Sequence, residues 1–248
     1  MIKDMKKTIY IVGIGPGGMD GMTIEAERVL AGADVIVGYE TYLDLVRDKY
    51  PDAEYLSTPM RKERERCIMA FEAAGSGKSV VMICSGDAGV YGMASLMYEE
   101  LGKRDCEEYE LKVVAGVSAA LSGAALLGAP IGHDFCVISL SDLLTPWEVI
   151  VRRLKAAAEG DFVIVLYNPS SHKRADYLKK VTDILGEYLE PDRICGIARL
   201  IGREGQDKWL CRLDELSEVG ADMFSTVFIG SSTTRIIDGH MVTPRGYK

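Results

Sequence analysis

The chain has 248 residues, of which 48% are apolar, and its formal net charge is −8. This length suffices for one large α/β domain or two modest ones with a substantial core. The acidic balance excludes nucleic acid as the main partner, because phosphate binding requires a basic face.

Neither a secretion signal nor a membrane span is predicted. The first seven residues carry charges where a signal peptide would begin its apolar region. The uncharged stretch 113–133 is dominated by Gly, Ala and Ser, which predicts a buried strand and a tightly packed helix instead of a span. The six cysteines show no metal-ligand spacing, so we expect reduced thiols, no bound metal and a cytoplasmic protein.

Strand and helix patterns alternate through the first half of the chain. The apolar, β-branched stretch TIYIVGIG predicts a buried strand that ends at glycines. In chain order there follow helix TIEAERVLAGA, strand DVIVGY, helix YLDLVRDK, strand AEYLSTP, helix RKERERCIMAFEAAGSG, strand SVVMIC, helix VYGMASLMYEEL and strand LKVVAG.

The second half has the same character. Thr145, Pro146 and Glu148 predict a capping box with proline at the first helical position of 145–160. The stretch RIIDGHMVT alternates around Asp-Gly, which predicts a hairpin. The other predicted elements are helices VSAALSGAALLG and YLKKVTDILGEYL and strands DFCVISLS, DFVIVLYNP, RICGIARL and STVFIGS. We therefore predict two α/β lobes, residues 1–115 and 116–248.

The loop GIGPGG after the first strand matches the G-x-G-x-x-G pattern of dinucleotide-binding folds. Glu40 ends the next strand, where such a fold places its ribose-binding acid, so a nicotinamide-dependent dehydrogenase is an alternative. Pro16 disfavours it by removing an amide that would bind pyrophosphate, and Asp20 would repel that group. Residues 19–22 also delay the following helix. The loop therefore fits a ligand without phosphate better.

Two further corners of small residues follow predicted strands, SGDAG at 85–89 and AGVSAA at 115–120. In a parallel sheet the carboxyl ends of the strands meet at one edge, where α/β sheets bind ligands. Asp87, at the centre of the second corner, either accepts hydrogen bonds from such a ligand or caps the next helix. Together the three corners predict a narrow site for a compact, uncharged or zwitterionic ligand.

These three corners, in this order and spacing, resemble the tetrapyrrole methyltransferases, the S-adenosylmethionine enzymes that methylate uroporphyrinogen and the corrin precursors. The stretch 128–171, together with PMRKERERC and HMVTPRGY, is similar to the precorrin-3B C-17 methyltransferases and their cobalt-factor III counterparts. The resemblance covers nearly the whole chain. It departs from the usual pattern at Ala115, where relatives often have proline, and at SSTT (231–234).

The resemblance implies an α/β fold of two lobes of the tetrapyrrole methylase type, with S-adenosyl-L-methionine in the cleft between them, and a homodimer. It implies methyl transfer to C-17 of a tetrapyrrole, precorrin-3B or cobalt-factor III, coupled to contraction of the macrocycle, in cobalamin biosynthesis. The family's cofactor-binding positions correspond here to Pro16, Ser85, Gly86, Asp87, Val90, Ser118, Ala119, Tyr167, Asn168, Gly196 and Gly230.

Ring contraction moves protons, whereas methyl transfer from a sulfonium mainly needs alignment. Tyr39, His133 and Asp142 are the candidate acids or bases for the contraction. His133 is preferred because histidine titrates near neutral pH. The alternative for His133 is a structural histidine that bonds to the backbone.

A polycarboxylate macrocycle requires local basic residues on an acidic protein. Arg61, Lys62, Arg64 and Arg66 crowd one helix start, where the helix dipole also favours anions. Half of this cluster is expected to be solvated and paired with neighbouring glutamates. Arg61 and Lys62 are the expected substrate contacts, and Arg245 is a weaker candidate.

Three alternatives stay open at this stage. The first is another corrin-ring methyltransferase, such as a C-11 or C-20 enzyme. The second is the nicotinamide-dependent dehydrogenase considered above. The third alternative is a non-catalytic protein that binds a tetrapyrrole or a nucleoside. The sequence does not distinguish a cobalt-bearing substrate from a metal-free one.

Overall fold

The computed structural model describes residues 6–170 and 176–247. They form two compact units, of which the first ends at Ser118 and the second begins at Ala119. The charged N-terminal positions Lys3 and Asp4, and Ser171 at the end of the 128–171 block, lie outside the described residues. No helix in the described part of the chain is long and apolar enough to cross a membrane.

The first unit contains a five-stranded parallel sheet with the strand order β3-β2-β4-β1-β5. Because all five strands are parallel, their carboxyl ends share one edge, which we call the carboxyl edge of the first sheet. Its strands are β1 (Lys7–Gly13), β2 (Val35–Gly38), β3 (Glu54–Ser57), β4 (Val80–Cys84) and β5 (Tyr109–Val114), and its helices are α1 (Ile24–Ala31), α2 (Glu40–Leu43), α3 (Glu63–Gly75) and α4 (Ala94–Leu101).

The three inner strands are apolar on both faces, because helices cover the sheet on both sides. On one face, Ile9 and Val35 pack with Cys67 and Phe71 of α3 and with residues of α4. On the other face, Val12, Ile36 and Ile83 pack with Leu30 of α1 and Leu43 of α2. The continuous apolar runs of these strands are thus explained by burial on both sides.

The second unit contains a mixed sheet with the strand order β10-β9-β11-β8-β7. Strands β7 and β8 are parallel, whereas β11 runs antiparallel to both β8 and β9. A small sheet has the order β12-β13-β6. The elements are α5 (Ala119–Leu127), β6 (Gly128–Ala129), β7 (Phe135–Ser139), α6 (Trp147–Glu159), β8 (Val163–Tyr167), α7 (Tyr177–Leu185), β9 (Ile194–Arg199), β10 (Asp207–Arg212), β11 (Ser225–Ile229), β12 (Arg235–Ile237) and β13 (His240–Val242).

Most predicted elements are present, and the exceptions have physical reasons. The hairpin turns at Asp238 and Gly239, both with positive φ, as Asp-Gly predicts. The predicted capping box is wrong: Pro146 is the N-cap residue of α6, and no side chain caps this helix. Strand β10 was not predicted because it is an edge strand with charged ends and only three consecutive apolar residues.

Two predicted helices are shorter than expected. In 42–50, the backbone hydrogen bonds span three residues as often as four, so the chain continues as turns after α2 although Val46 is buried. Helix α4 begins at Ala94 instead of Val90, because the loop first folds back so that the Met93 amide donates to Cys84 Sγ and the Ala94 amide to the Ala88 carbonyl.

Candidate functional site

Three loops meet at the carboxyl edge of the first sheet, after β1, β4 and β5. The loops after β1 and β4 pair through two backbone hydrogen bonds, from Gly15 N to Gly86 O (3.1 Å) and from Gly86 N to Gly15 O (2.7 Å). Both glycines have positive φ, +76° and +68°, which glycine adopts without strain. The GIGPGG and SGDAG loops therefore form one structural unit. We call these two loops and the loop after β5 the glycine corner.

Two glycines allow the backbones in this corner to touch. A Cβ on Gly116 would lie 2.1 Å from the Gly86 carbonyl oxygen and 2.5 Å from the Gly13 carbonyl oxygen. A Cβ on Gly13 would lie 2.6 Å from the same oxygen of Gly86. Since these neighbours are backbone atoms, no side chain can be accommodated at either position without moving a strand end. These glycines are required for loop packing, whatever ligand the corner binds.

The Asp87 carboxylate holds two of the loops together. Its Oδ1 accepts a hydrogen bond from the Gly89 amide (2.8 Å), and its Oδ2 accepts one from the Gly116 amide (2.9 Å). It does not cap a helix, because α4 begins seven residues later, at Ala94. The sequence suggested a ligand contact or a helix cap for Asp87, and the structure adds a third role as a link between loops.

The loop after β1 lacks the features that bind a pyrophosphate. A short 3₁₀ helix, Met19–Gly21, separates Pro16 from α1, and α1 begins only after its own cap, Thr23, which accepts a hydrogen bond from the Ala26 amide. In dinucleotide-binding folds a helix begins directly at the glycine turn, and its N-terminus binds the pyrophosphate. Here no α-helix begins at that turn. Glu40 forms an ion pair with Arg47 (2.7 Å). The geometry disfavours the dehydrogenase alternative.

The chemistry of the corner fits an uncharged or zwitterionic ligand. The corner contains backbone amides and carbonyls, the Asp87 carboxylate, and Ser85, which directly follows β4. Val90, the predicted cofactor contact beyond Asp87, is 36% exposed at the surface of the same loop. This donor and acceptor set matches the amino-acid and nucleoside parts of S-adenosylmethionine, which carries no phosphate.

In the second unit, another group of predicted residues gathers where β7 and β8 end. The Ala120 amide, in the first turn of α5, donates to the Tyr167 hydroxyl (2.8 Å). Asn168 has a positive φ of 54°, and its Nδ2 donates to Ser139 Oγ (3.0 Å). Tyr167, Asn168 and the start of α5 at Ala119 are thus brought together. Ser118, the residue before α5, is buried.

Gly196 and Gly230 lie elsewhere on the same sheet. In the strand register, Gly196 stands level with Val165, and Gly230 follows Ile229, which pairs with Ile164. Gly196 thus lies level with the middle of β8, and Gly230 lies near the amino ends of β8 and β9, whereas Asn168 follows the carboxyl end of β8. A Cβ on Gly196 would lie 2.9 Å from Leu127 Cδ1, so the packing of α5 already explains this glycine.

The candidate acids and bases occupy different edges. His133 is exposed, precedes the amino end of β7, and its Nδ1 accepts a hydrogen bond from the Asp134 amide (3.0 Å). Asp142 follows the carboxyl end of β7 and accepts a hydrogen bond from the Tyr177 hydroxyl (2.5 Å). Tyr39, in the first unit, follows β2 at the carboxyl edge.

The predicted substrate contacts lie at the surface of the first unit. Arg61 is exposed, with a positive φ of 70° and its amide bonded to Glu63. Lys62 is exposed and forms an ion pair with Glu65. Arg66 belongs to the same basic cluster but was not among the expected substrate contacts, and it is 4% exposed. Helical spacing could have indicated this, since Arg66 shares the buried face of α3 with Cys67 and Ala70.

Comparison with known proteins identifies the family to which this arrangement belongs. Residues 8–217 match the model of the tetrapyrrole (corrin/porphyrin) methylases. The chain belongs to this family. The tetrapyrrole methylases use S-adenosylmethionine, so the family, the enzyme class and the cofactor predicted from the sequence are confirmed.

Two relatives of this methylase and one solved structure match it over nearly their whole length. It is 45% identical to the probable cobalt-factor III C(17)-methyltransferase of Salmonella typhimurium, over 96% of this chain and 99% of that protein. It is 41% identical to the precorrin-3B C(17)-methyltransferase of Sinorhizobium sp, over 98% of each chain. The crystal structure of the methyltransferase CobJ covers 95% of this chain and 99% of its own, with a TM-score of 0.89 and 38% identity.

Proposed function

We propose that this methylase transfers a methyl group from S-adenosylmethionine to C-17 of a corrin-pathway tetrapyrrole in cobalamin biosynthesis. The observation that carries the proposal is the end-to-end similarity to enzymes named for this position, at 45% and 41% identity. The substrate is cobalt-factor III or precorrin-3B, since relatives carry both names. Coupled contraction of the macrocycle, with loss of C-20 from the ring, belongs to the proposal through the family resemblance.

We assign the cofactor to residues of both units. In the first unit these are the glycine corner with Pro16, Ser85 and Asp87, and in the second they are Tyr167 and Asn168. The proposal places the cofactor in a cleft between the units, in a cytoplasmic homodimer, as the family resemblance implies. The remaining predicted contacts, which stay part of the proposal, are Gly86, Val90, Ser118, Ala119, Gly196 and Gly230.

When bound, S-adenosylmethionine supplies an electrophilic methyl group on a sulfonium, whose leaving group is neutral. The protein therefore contributes mainly by holding the macrocycle carbon and the cofactor in line, which is worth about 7–11 kcal/mol in favourable cases. The rigid glycine corner suits this task, because backbone hydrogen bonds and the Asp87 carboxylate fix its three loops. Arg61 and Lys62 stay the proposed contacts of substrate carboxylates at the rim.

The ring contraction needs a proton-transferring group, and the positions of the candidates rank them. Tyr39 follows the end of β2, at the edge that carries the glycine corner, and Asp142 follows the end of β7, near Asn168. His133 lies at the opposite end of β7. We therefore infer that Tyr39 or Asp142 supplies the proton, with His133 as the third candidate.

A single-turnover experiment tests this ranking. One of the variants Tyr39→Phe and Asp142→Asn is expected to methylate the macrocycle and to slow contraction by about 10²-fold or more, the scale of general acid–base catalysis. His133→Ala is the matched comparison and is expected to contract at the wild-type rate. Product mass and absorbance separate the two steps. Normal contraction by both Tyr39→Phe and Asp142→Asn, together with slow contraction by His133→Ala, would reverse the ranking.

The substrate itself is tested by turnover with cobalt-factor III and with precorrin-3B, each with and without oxygen. The proposal predicts methylation of at least one of them. Co-purified S-adenosylhomocysteine, detected by mass spectrometry, would support the cofactor independently. A bound dinucleotide and no methyl transfer to either macrocycle would refute the proposed function.

A further inference from the structure

Arg66 carries a buried positive charge that no acidic residue of the described chain neutralises. It is 4% exposed, and no carboxylate in the described residues lies within ion-pair distance of its guanidinium. Burying an unpaired charge is unfavourable, so such a residue is expected to have a partner. In the protein without ligand, uncharged groups around Arg66 take the place of an acidic partner.

The guanidinium is bonded only in part. Its Nη2 donates to the carbonyl oxygens of Thr58 (3.2 Å) and Pro59 (3.5 Å). Its Nη1 lies 4.0 Å from Met93 Sδ, a weak acceptor, and its Nε is buried without a hydrogen-bond partner among the described residues. Its carbon Cζ lies 5.9 Å from the ring centre of Tyr39. Carbonyls satisfy some donors but leave the charge uncompensated.

The neighbouring basic residues, unlike Arg66, are paired with an acidic residue. Glu100, which is buried, accepts hydrogen bonds from Arg64 (2.7 Å), Lys103 (2.6 Å) and Arg104 (3.1 Å). The buried carboxylate of Glu100 is therefore already shared by three cations. None of these three residues is left buried and without an acid, so the acidic group that Arg66 requires is not supplied by α3 or α4.

The groups around Arg66 all belong to the carboxyl edge of the first sheet. Tyr39 directly follows β2, Thr58 directly follows β3, and Met93 lies in the loop after β4. This is the edge where the glycine corner stands, and where parallel sheets bind ligands. Tyr39 and Met93 are both partly exposed, so the guanidinium lies just beneath the surface of that edge.

We propose that Arg66 binds a carboxylate of the tetrapyrrole substrate, with the Met93 side chain moving aside to admit it. This rests on the proposed function, because the macrocycle is the polycarboxylate of that reaction. The charged guanidinium suits a carboxylate, and displacement of Met93 exchanges the weak sulfur acceptor of Nη1 for a carboxylate oxygen. The free Nε is a second available donor, on the other side of the group. Met93 is unbranched and flexible, so its displacement is inexpensive. The amino-acid carboxylate of the cofactor has the same chemistry, and the test separates the two.

The test compares Arg66→Gln and Arg66→Lys with Arg64→Gln, a control two residues away on the same helix that retains Arg66. For Arg66→Gln we expect the macrocycle's KM to rise about tenfold or more, as for loss of a hydrogen bond to a charged group, while kcat and S-adenosylhomocysteine affinity stay within about twofold. Arg66→Lys is expected to recover part of the loss. Arg64→Gln is expected to behave as the wild type. Calorimetry measures the S-adenosylhomocysteine affinity.

Three results would overturn the inference. The first is unchanged KM in a folded Arg66→Gln variant, which would make Arg66 a brace for the Thr58–Pro59 carbonyls. The second is a loss of S-adenosylhomocysteine affinity with unchanged macrocycle affinity, which would assign the carboxylate to the cofactor. The third is an NMR resonance of Arg66 Nε, assigned by its loss in Arg66→Lys, that does not shift when cobalt-factor III is added. This last measurement uses wild-type protein and is independent of the folding of Arg66→Gln.

Absorbance titration of the macrocycle, without turnover, separates this inference from the proposed function. Equal macrocycle affinity of wild type and Arg66→Gln would refute the role of Arg66 alone. A wild-type protein that neither binds nor methylates the macrocycle would refute the proposed function.

Discussion

The carboxylate of Asp87 accepts hydrogen bonds from amides in two loops, Gly89 N and Gly116 N. Both oxygens are therefore engaged by the protein itself. A residue that shapes a binding site in this way affects ligand affinity through the loops it holds, whether or not it also touches the ligand.

Asp87→Asn is expected to lower both stability and cofactor affinity. The amide retains one acceptor oxygen but opposes the second backbone donor with its own NH₂, and leaving a donor unsatisfied costs about 1–3 kcal/mol. Asp105→Asn is a matched control, because Asp105 also accepts from the amide two residues on, Glu107 N (2.9 Å), but in an exposed loop. Denaturant unfolding and calorimetry with S-adenosylhomocysteine measure the two effects. A stable Asp87→Asn variant with unchanged affinity would contradict the linking role.

Glu100 provides a pH-dependent contribution to stability. The hydrogen bond from Lys103, with those from Arg104 and the charge of Arg64, lowers the pKa of this carboxyl. A carboxyl whose pKa is lowered in the folded state stabilises that state above its unfolded pKa, about 4.3, and loses this effect as the pH falls through the folded value.

Glu100→Gln is therefore expected to lower the melting temperature at pH 7, and the difference from the wild type is expected to shrink as the pH falls below the unfolded pKa, about 4.3, and through the lower folded value. Thermal unfolding across this pH range measures it. Glu99→Gln, at the neighbouring exposed position, is the control. An equal difference at all pH values would show that the ionised carboxylate is not the stabilising group.

At the scale of elements, the backbones that follow β1, β4 and β5 approach one another so closely that no side chain fits between them. Gly116→Ala places a methyl group 2.1 Å from a backbone oxygen, so at least one strand end must move. We expect a loss of about 3 kcal/mol or more, at the upper end of the overpacking range, or failure to fold. Gly102→Ala is the control, because its Cβ meets only ordinary contacts at 3.6 Å and beyond. A Gly116→Ala variant as stable as Gly102→Ala would contradict this packing.

Elements with continuous apolar runs were predictable from the sequence, and irregular ones were not. The inner strands β1, β2 and β4 are buried on both faces, which produces an unbroken apolar signal. Strand β10 gives no such signal because it pairs on one side only, and its pattern is set by its neighbour β9. The late start of α4 depends on hydrogen bonds to Cys84 and Ala88, which spacing along the chain does not reveal.

The candidate site, too, was predictable from the sequence only in part. The three glycine-containing loops could be placed at one sheet edge from the sequence, because parallel strands order their ends. That Asp87 bonds to Gly116 could not be predicted, since it depends on the distance between two loops 29 residues apart. The burial of Arg66 was not predicted, because the basic cluster was interpreted by its charge and not by the position of Arg66 on the buried face of α3.

At the scale of the whole molecule, the central claim is methyl transfer to one position of the macrocycle. The family match covers residues 8–217, and the similarity to C(17)-methyltransferases extends over nearly the entire chain. A C-11 or C-20 methyltransferase would share the fold and the cofactor and differ in how the macrocycle is held. The position of the transferred methyl group is therefore the property that decides between them.

The most direct test is incubation of the purified protein with cobalt-factor III or precorrin-3B and S-adenosylmethionine that carries a ¹³C-labelled methyl group, followed by NMR of the isolated product. The account predicts a single labelled methyl group, bonded to C-17. A labelled methyl group at C-11 or C-20, or an unlabelled macrocycle recovered from both substrates, would contradict it.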